Sequence, residues 1–207
     1  MKNKSICILD YGSGNVRSVY NIIHQLTNQV HISNEPEDIV ASSHIILPGV
    51  GAFGAAMEKI HKFVPLSVLE NEVFAMKKPF LGICVGMQVL ATIGREFGDY
   101  KGLNWIPGIV QKIDTGELPL PHIGWNNCVF RKESPLVQDF NGQPDFYFVH
   151  SYAYDLSTVN EHSLIATTNY GADFCSILQK DNIFGVQFHP EKSQKAGRLL
   201  LANFLTL

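Results

Sequence analysis

The sequence predicts an α/β protein with a doubly wound, mostly parallel sheet and antiparallel additions in its C-terminal half. Three observations lead there. Short apolar runs alternate with helical-period segments over residues 5–93. The pentapeptide Gly82-Ile83-Cys84-Val85-Gly86 stands between an apolar run and a helical segment, as a sharp strand-to-helix elbow does. Beyond about residue 105 strand-like runs follow one another between Gly, Pro and Asn turns.

The elements follow in order. Residues 5–10 (SICILD) read as a buried strand, and Gly12-Ser13-Gly14-Asn15 turns the chain. Val16, Val19, Tyr20, Ile23 and Leu26 recur at helical spacing. Residues 29–33 are a short strand, and residues 35–42 a short helix with an acidic start. Residues 44–47 form an apolar strand that Pro48-Gly49-Val50-Gly51 ends. Residues 53–60 and 65–76 read as helices, 80–83 as the strand into the elbow, and 86–93 as the helix out of it. Residues 109–113, 127–130, 146–154, 163–168, 175–179 and 183–188 are strand-like, extending one sheet or making a small second one. Residues 195–205 are helical, with Leu199, Leu200, Asn203 and Phe204 on about one face. No repeat, low-complexity segment or linker interrupts the chain, so residues 1–207 are expected to form one domain.

Composition narrows the function classes. With 45% hydrophobic and 17% charged residues the 207-residue chain is of ordinary globular type. A formal net charge of −3 offers no broad attraction to nucleic acid or an anionic membrane. No apolar run is long enough to span a bilayer, and the N-terminus enters the first strand with no signal peptide before it. Cys7, Cys84, Cys128 and Cys175 form no Cys-x-x-Cys motif. Neither disulfides nor a structural zinc are expected, and a reducing cytoplasm is the natural compartment. Cys7 and Cys175, in apolar runs, are expected in the core.

The chemistry starts at Cys84. The glycines on either side leave room for a strained nucleophile, and the helix that follows directs its N-terminus at the sulfur. A thiolate needs a base, and the base an orienting group. His189-Pro190-Glu191, after the apolar run ending at Phe188, supplies both if His189 and Glu191 point to one side of an extended segment. Alone the Gly-x-Cys-x-Gly pattern is a weak signal, and His-Pro-Glu is weaker still because surface turns contain it. Both lie at ends of apolar strands, which a doubly wound sheet gathers along its carboxyl edge. Acyl chemistry also needs an oxyanion hole. Gly49-Val50-Gly51, ending a neighbouring strand, and the Val85 N–H are the candidates; the alternative for the glycine segment is a plain strand-ending turn.

These residues resemble the class I (triad) glutamine amidotransferases, a flavodoxin-like fold family in which a Cys-His-Glu triad hydrolyses glutamine to glutamate and ammonia. Further motifs are similar to one branch, the glutaminase subunits of imidazole glycerol phosphate synthase: residues 10–19 (DYGSGNVRSV), 47–53 (LPGVGAF), 121–126 (PHIGWN), 147–152 (YFVHSY) and 185–193 (GVQFHPEKS). The resemblance spans the whole chain. It implies Cys84 as nucleophile, His189 as proton carrier and Glu191 as its orienting group. Gly51 and Val85, with Val50 as a further candidate, would line the oxyanion hole. Gly49, Gln88, Glu96, His150, Ser151 and Tyr152 would bind glutamine. From the residues alone Gln88 is only a polar residue on the elbow helix, and His150 reads equally as a satisfied core histidine. The resemblance implies no cofactor. It implies a separate (β/α)8 cyclase barrel as heterodimer partner, which uses the ammonia to make imidazole glycerol phosphate and AICAR in histidine biosynthesis. A paralogous pairing that delivers ammonia for amidination of a surface sugar would carry the same triad. Asn15 and Trp125 are the expected partner contacts, with core packing the alternative for Trp125.

Overall fold

In the structure, a computed structural model, residues 4–12 and 14–207 are described. Ser13, within the first glycine turn, and Met1–Asn3 at the chain start lie outside the described residues. The first half alternates strands and helices: β1 (Ile6–Ile8), α1 (Val16–His24), β2 (Val30–Ile32), α2 (Pro36–Ala41), β3 (His44–Gly49), α3 (Phe53–Phe63), α4 (Leu66–Glu70), β4 (Phe80–Cys84) and α5 (Val85–Gln88). The second half is mostly β: β5 (Ile93–Gly94), β6 (Tyr100–Lys101), β7 (Ile109–Lys112), β8 (His122–Asn127), β9 (Val129–Phe130), β10 (Asp145–His150), β11 (Tyr152–Tyr154), β12 (Leu164–Tyr170), β13 (Ala172–Lys180) and β14 (Ile183–Val186). Helix α6 (Gln194–Phe204) closes the chain.

The main sheet has the order β2-β1-β3-β4-β14-β13-β12-β9. Pairing is parallel from β2 to β14 and antiparallel beyond. The chain steps from β1 outward to β2 and then back past β1 to β3. With right-handed crossovers that reversal puts α1 and α2 on opposite faces, as the doubly wound reading requires. Strands covered on both faces lose their alternation, and β1, β3, β4 and β14 are buried at every residue. Both C-terminal alternatives occur together. Strands β12, β13 and β9 extend the main sheet, while β8–β10 and β11-β7-β5-β6 form two smaller ones. Cys7 and Cys175 are buried, and all four cysteines are free.

Three expected elements are corrected. The helix predicted over 86–93 stops at Gln88, because the carbonyls of Val89, Leu90 and Ala91 accept N–H groups of Leu103, Ile106 and Asn104. A helix needs those acceptors for its own fourth-next residue. The strand read over 146–154 is two strands, bent at Ser151, with β10 pairing β8 and β11 pairing β7. The helix read over 65–76 keeps its α-form only to Glu70. It then widens, with Met76 N–H donating to the Asn71 carbonyl.

Candidate active site

Three adjacent parallel strands build the site. Gly49 of β3 pairs with Cys84 of β4, and Ile83 of β4 pairs with Val186 of β14. Their carboxyl ends therefore bring the Gly49–Gly51 turn, Cys84 and the segment leading to His189 side by side. Cys84 adopts φ 54°, ψ −111°, a conformation that L side chains rarely take. Holding a non-glycine there costs about 1–3 kcal/mol, which the surrounding fold must supply. The flanking glycines are a steric need. A Cβ at Gly82 would stand 2.7 Å from the Gly86 carbonyl carbon, and one at Gly86 would meet the Leu47 carbonyl oxygen. Gly51 has φ 95°, which also favours glycine.

Because α5 is a single turn, its dipole offers the sulfur much less than a full helix would. Side chains surround the sulfur instead. Gln187 Nε2 donates to Cys84 Sγ at 3.7 Å, and the Val149 carbonyl oxygen lies at 3.9 Å. Gln88 Nε2 donates to Gln187 Oε1 at 3.1 Å and to the Tyr152 carbonyl at 2.8 Å. Cys84 is 3% exposed, so its sulfur reaches solvent only through the cavity described below.

His189 Nδ1 lies 2.8 Å from Glu191 Oε1, and both side chains are buried. Their spacing in the sequence suggests one side of an extended segment. The strand in fact ends at Val186, and a 3₁₀ turn over Pro190–Lys192 folds the carboxylate back against the imidazole. His189 N–H donates to the Tyr147 carbonyl at 2.8 Å. The Ser193 hydroxyl donates to the His189 carbonyl at 2.6 Å and accepts Tyr147 N–H at 3.0 Å, which ties the turn to β10. Asn15 Nδ2, at the start of α1, reaches the same Glu191 oxygen at 3.4 Å.

Electrostatics set the state of this pair. Desolvation alone would lower the His189 pKa, but hydrogen bonds and charge from Cys84 and Glu191 outweigh it and raise the group to about 10. The folded-state pKa is thus above the unfolded value of about 6.5. The pairing stabilises the fold fully below that value and loses its contribution as pH rises through the folded pKa. We expect Glu191→Gln, and separately Cys84→Ala, to lower the His189 titration midpoint followed by imidazole NMR. A midpoint unchanged in both variants would show that neither neighbour holds the charge. Glu191→Gln should also slow turnover by about 10²–10⁴-fold, since it removes the group that orients the base.

A cavity of about 260 Å³ opens onto the sulfur. Val50, Gly51, Val85, Gln88, Glu96, His150, Ser151, Tyr152 and His189 line it with Cys84. Glu96 Oε2 accepts the Phe53 N–H at 2.8 Å, so its carboxylate is anchored on the first turn of α3. Gly49 lies behind the wall, where an added Cβ would stand 2.6 Å from the Gly86 nitrogen. Glu191 stands behind His189. Trp125 is 48% exposed on β8, so the core-packing alternative is excluded for it; Trp105 is the buried tryptophan. Gln187, Lys192 and His122 lie inside motifs that carry the resemblance, but their residue types and spacing assign them no role in the site. Lys192 lines the cavity, and Gln187 touches the sulfur. Gln187 lies inside the run leading to His189, but its strand-like context reads as core. A larger groove of about 700 Å³ beside Phe130–Gln138 brings no comparable nucleophile–base pair together among the described residues.

The family model "Glutamine amidotransferase class-I" matches residues 7–207. Imidazole glycerol phosphate synthase subunit HisH 2 of Vibrio vulnificus is 42% identical over 202 residues, covering 97% of this chain and 93% of the relative. The HisH subunit of Methanocaldococcus jannaschii is 42% identical over 202 residues, covering 98% and 99%. Among solved structures, a glutamine amidotransferase from Thermotoga maritima matches with TM-score 0.67 at 16% identity, covering 92% of this chain and 77% of that one, a likeness of fold alone.

Proposed function

The chain belongs to the class I glutamine amidotransferases, and from that premise we propose that it is the glutaminase subunit of an imidazole glycerol phosphate synthase, serving histidine biosynthesis. The observation that carries the chemistry is the convergence of Cys84, the His189–Glu191 pair and the Gly49–Gly51 turn on one cavity at the carboxyl edge of β3, β4 and β14. The Cys84 thiolate attacks the side-chain carbonyl carbon of glutamine, and the backbone N–H groups of Val85, Gly51 and Val50 receive the negative oxygen. His189, held protonated, gives its proton to the departing nitrogen, and ammonia leaves a glutamyl thioester on Cys84. His189 then takes a proton from water, the hydroxide attacks the thioester, and glutamate departs as the thiolate re-forms. Glu191 keeps the imidazole in the tautomer and orientation both steps need. Gln88, Glu96 and the His150–Tyr152 segment hold the substrate.

Ammonia released at Cys84 needs an acceptor that does not lose it to water, and the proposed acceptor is a (β/α)8 cyclase bound as a second chain. Two features support docking near the site. Ile123 (59% exposed) and Trp125 (48%) project from β8, opposite Val149 and Tyr147 of β10. Val149 is the residue whose carbonyl faces the sulfur, so the exposed apolar pair lies one strand from the nucleophile. The second is Asn15, just before α1, whose side chain reaches Glu191. No helix of the described residues is long and apolar enough to cross a membrane; the proposed setting is the cytoplasm.

The test is glutamate release by the chain alone and with the cyclase barrel and its ribulosyl phosphate ligand. We expect slow turnover alone and stimulation by about tenfold or more in the complex, the size of a typical coupling free energy. Fast turnover independent of the barrel overturns the coupling, and no glutamate release with the barrel present overturns the glutaminase reading.

A further inference from the structure

His122 lies outside every role assigned above, yet it sits in a chain of hydrogen bonds whose direction can be worked out from end to end. His150 Nδ1 is 3.0 Å from the Tyr152 carbonyl, which only accepts, so His150 carries its proton on Nδ1. A neutral His150 then accepts at Nε2, and His122 Nδ1 lies 3.1 Å from that atom. His122 is therefore also the Nδ1–H tautomer. Its Nε2 in turn faces Asn126 Nδ2, a donor, at 3.3 Å. The Asn126 amide is itself oriented, donating to the Asn169 carbonyl at 2.9 Å and accepting Asn127 N–H at 2.9 Å. The opposite tautomer of His122 would set two lone pairs against each other at one end and two donors at the other. The Tyr152 carbonyl that receives His150 also receives Gln88, the residue that orients Gln187 on the sulfur.

We propose that His122 is a positioning residue of the glutamine site: it donates to His150, fixes the tautomer of that ring, and so holds the Tyr152 carbonyl on which Gln88 is anchored. The inference rests on the glutaminase reading for its kinetic consequence, but the tautomer does not. The surroundings keep both rings neutral. His122 stacks on Tyr170 at 4.1 Å and on Phe148 at 5.0 Å, and Phe174 packs edge-on against His150 at 4.8 Å. Burial pushes His122 down to about 4; burial first, then charge on His122 and on His189, pushes His150 down to about 3.

Two variants separate donor from bulk. His122→Phe keeps the stack and removes the donor; His122→Asn keeps an N–H near the Nδ1 position and removes the stack. With the barrel present we expect His122→Phe to raise KM for glutamine about tenfold or more while kcat changes less, because an unsatisfied His150 Nε2 lets the ring turn or change tautomer. His122→Asn should return KM to within about threefold of the parent even where its melting temperature is lower. Nitrogen-15 NMR of histidine-labelled parent protein should show both rings protonated at Nδ1 and bare at Nε2. Unchanged KM in His122→Phe, or equal defects in both variants, overturns the proposal, as does an Nε2–H ring at either position. A parent protein that hydrolyses no glutamine overturns the glutaminase reading instead, and leaves the tautomer result to stand or fall separately.

Discussion

Replacing Cys84 by alanine should cut glutamine hydrolysis by at least about 10⁴-fold, because it removes the thiol that the cavity places beside the His189–Glu191 pair. The complex should still cyclise its substrate when ammonia is added directly, since the defect lies in making ammonia and not in using it. Loss of both activities would mean that Cys84 holds the interface or the fold. The backbone adds a second, independent expectation. At φ 54°, ψ −111° an alanine keeps the strain of the cysteine, whereas glycine is relieved of it. Cys84→Gly should therefore be more stable than Cys84→Ala by about 1 kcal/mol, or roughly 2–4 °C in melting temperature, though equally inactive. Glycine in an element interior ordinarily costs stability, so the reversed order is diagnostic of a strained nucleophile. An alanine variant as stable as the glycine one would show that the elbow relaxes.

Gly86→Ala is the second large effect, and it acts on the fold. The added methyl would fall on the Leu47 carbonyl oxygen of the neighbouring strand, a backbone atom in a fully buried strand with no rotamer to yield. Relief requires β3 and α5 to separate, which opens the floor beneath both Cys84 and the Gly49–Gly51 turn. We expect destabilisation of about 3 kcal/mol or more, equivalent to roughly 6–12 °C in melting temperature, with glutaminase activity lost below that temperature as well. Gly12→Ala makes the control. Its added Cβ has nothing within 4 Å, so its cost is confined to the φ of 82°. Equal melting temperatures for Gly86→Ala and the parent would show that the elbow is not close-packed as described.

Much of this is legible in the chain. The alternation of apolar runs and helical periods sets the parallel half of the sheet, because residues buried on both faces must be apolar throughout. Gly82 and Gly86 around a cysteine point to the elbow, because only a sharp turn makes small residues necessary on both sides. The His189–Glu191 spacing suggests a base with its orienting group, although it implies an extended strand and the fold uses a 3₁₀ turn. Less visible is where elements stop. Residues 89–91 continue the apolar run after the elbow, yet Leu103, Asn104 and Ile106 capture their carbonyls and end the helix. The run 146–154 is uniformly strand-like, yet it serves two sheets.

What the sequence determined by itself is the set of reactive groups and the steric pattern around them: Cys84 between its glycines, His189 with Glu191, and strand ends to carry them. Only the tertiary structure decided how those groups are electrically arranged. Gln187 meets Cys84 across 103 positions and Gln88 across 99, and His122 meets His150 across 28. An amide or an imidazole presents donor or acceptor according to what faces it, and what faces it comes from a distant strand. Local spacing encodes backbone period and steric room. The direction of each hydrogen bond, and with it the charge on His189 and the tautomers of His122 and His150, exists only once the strands are side by side.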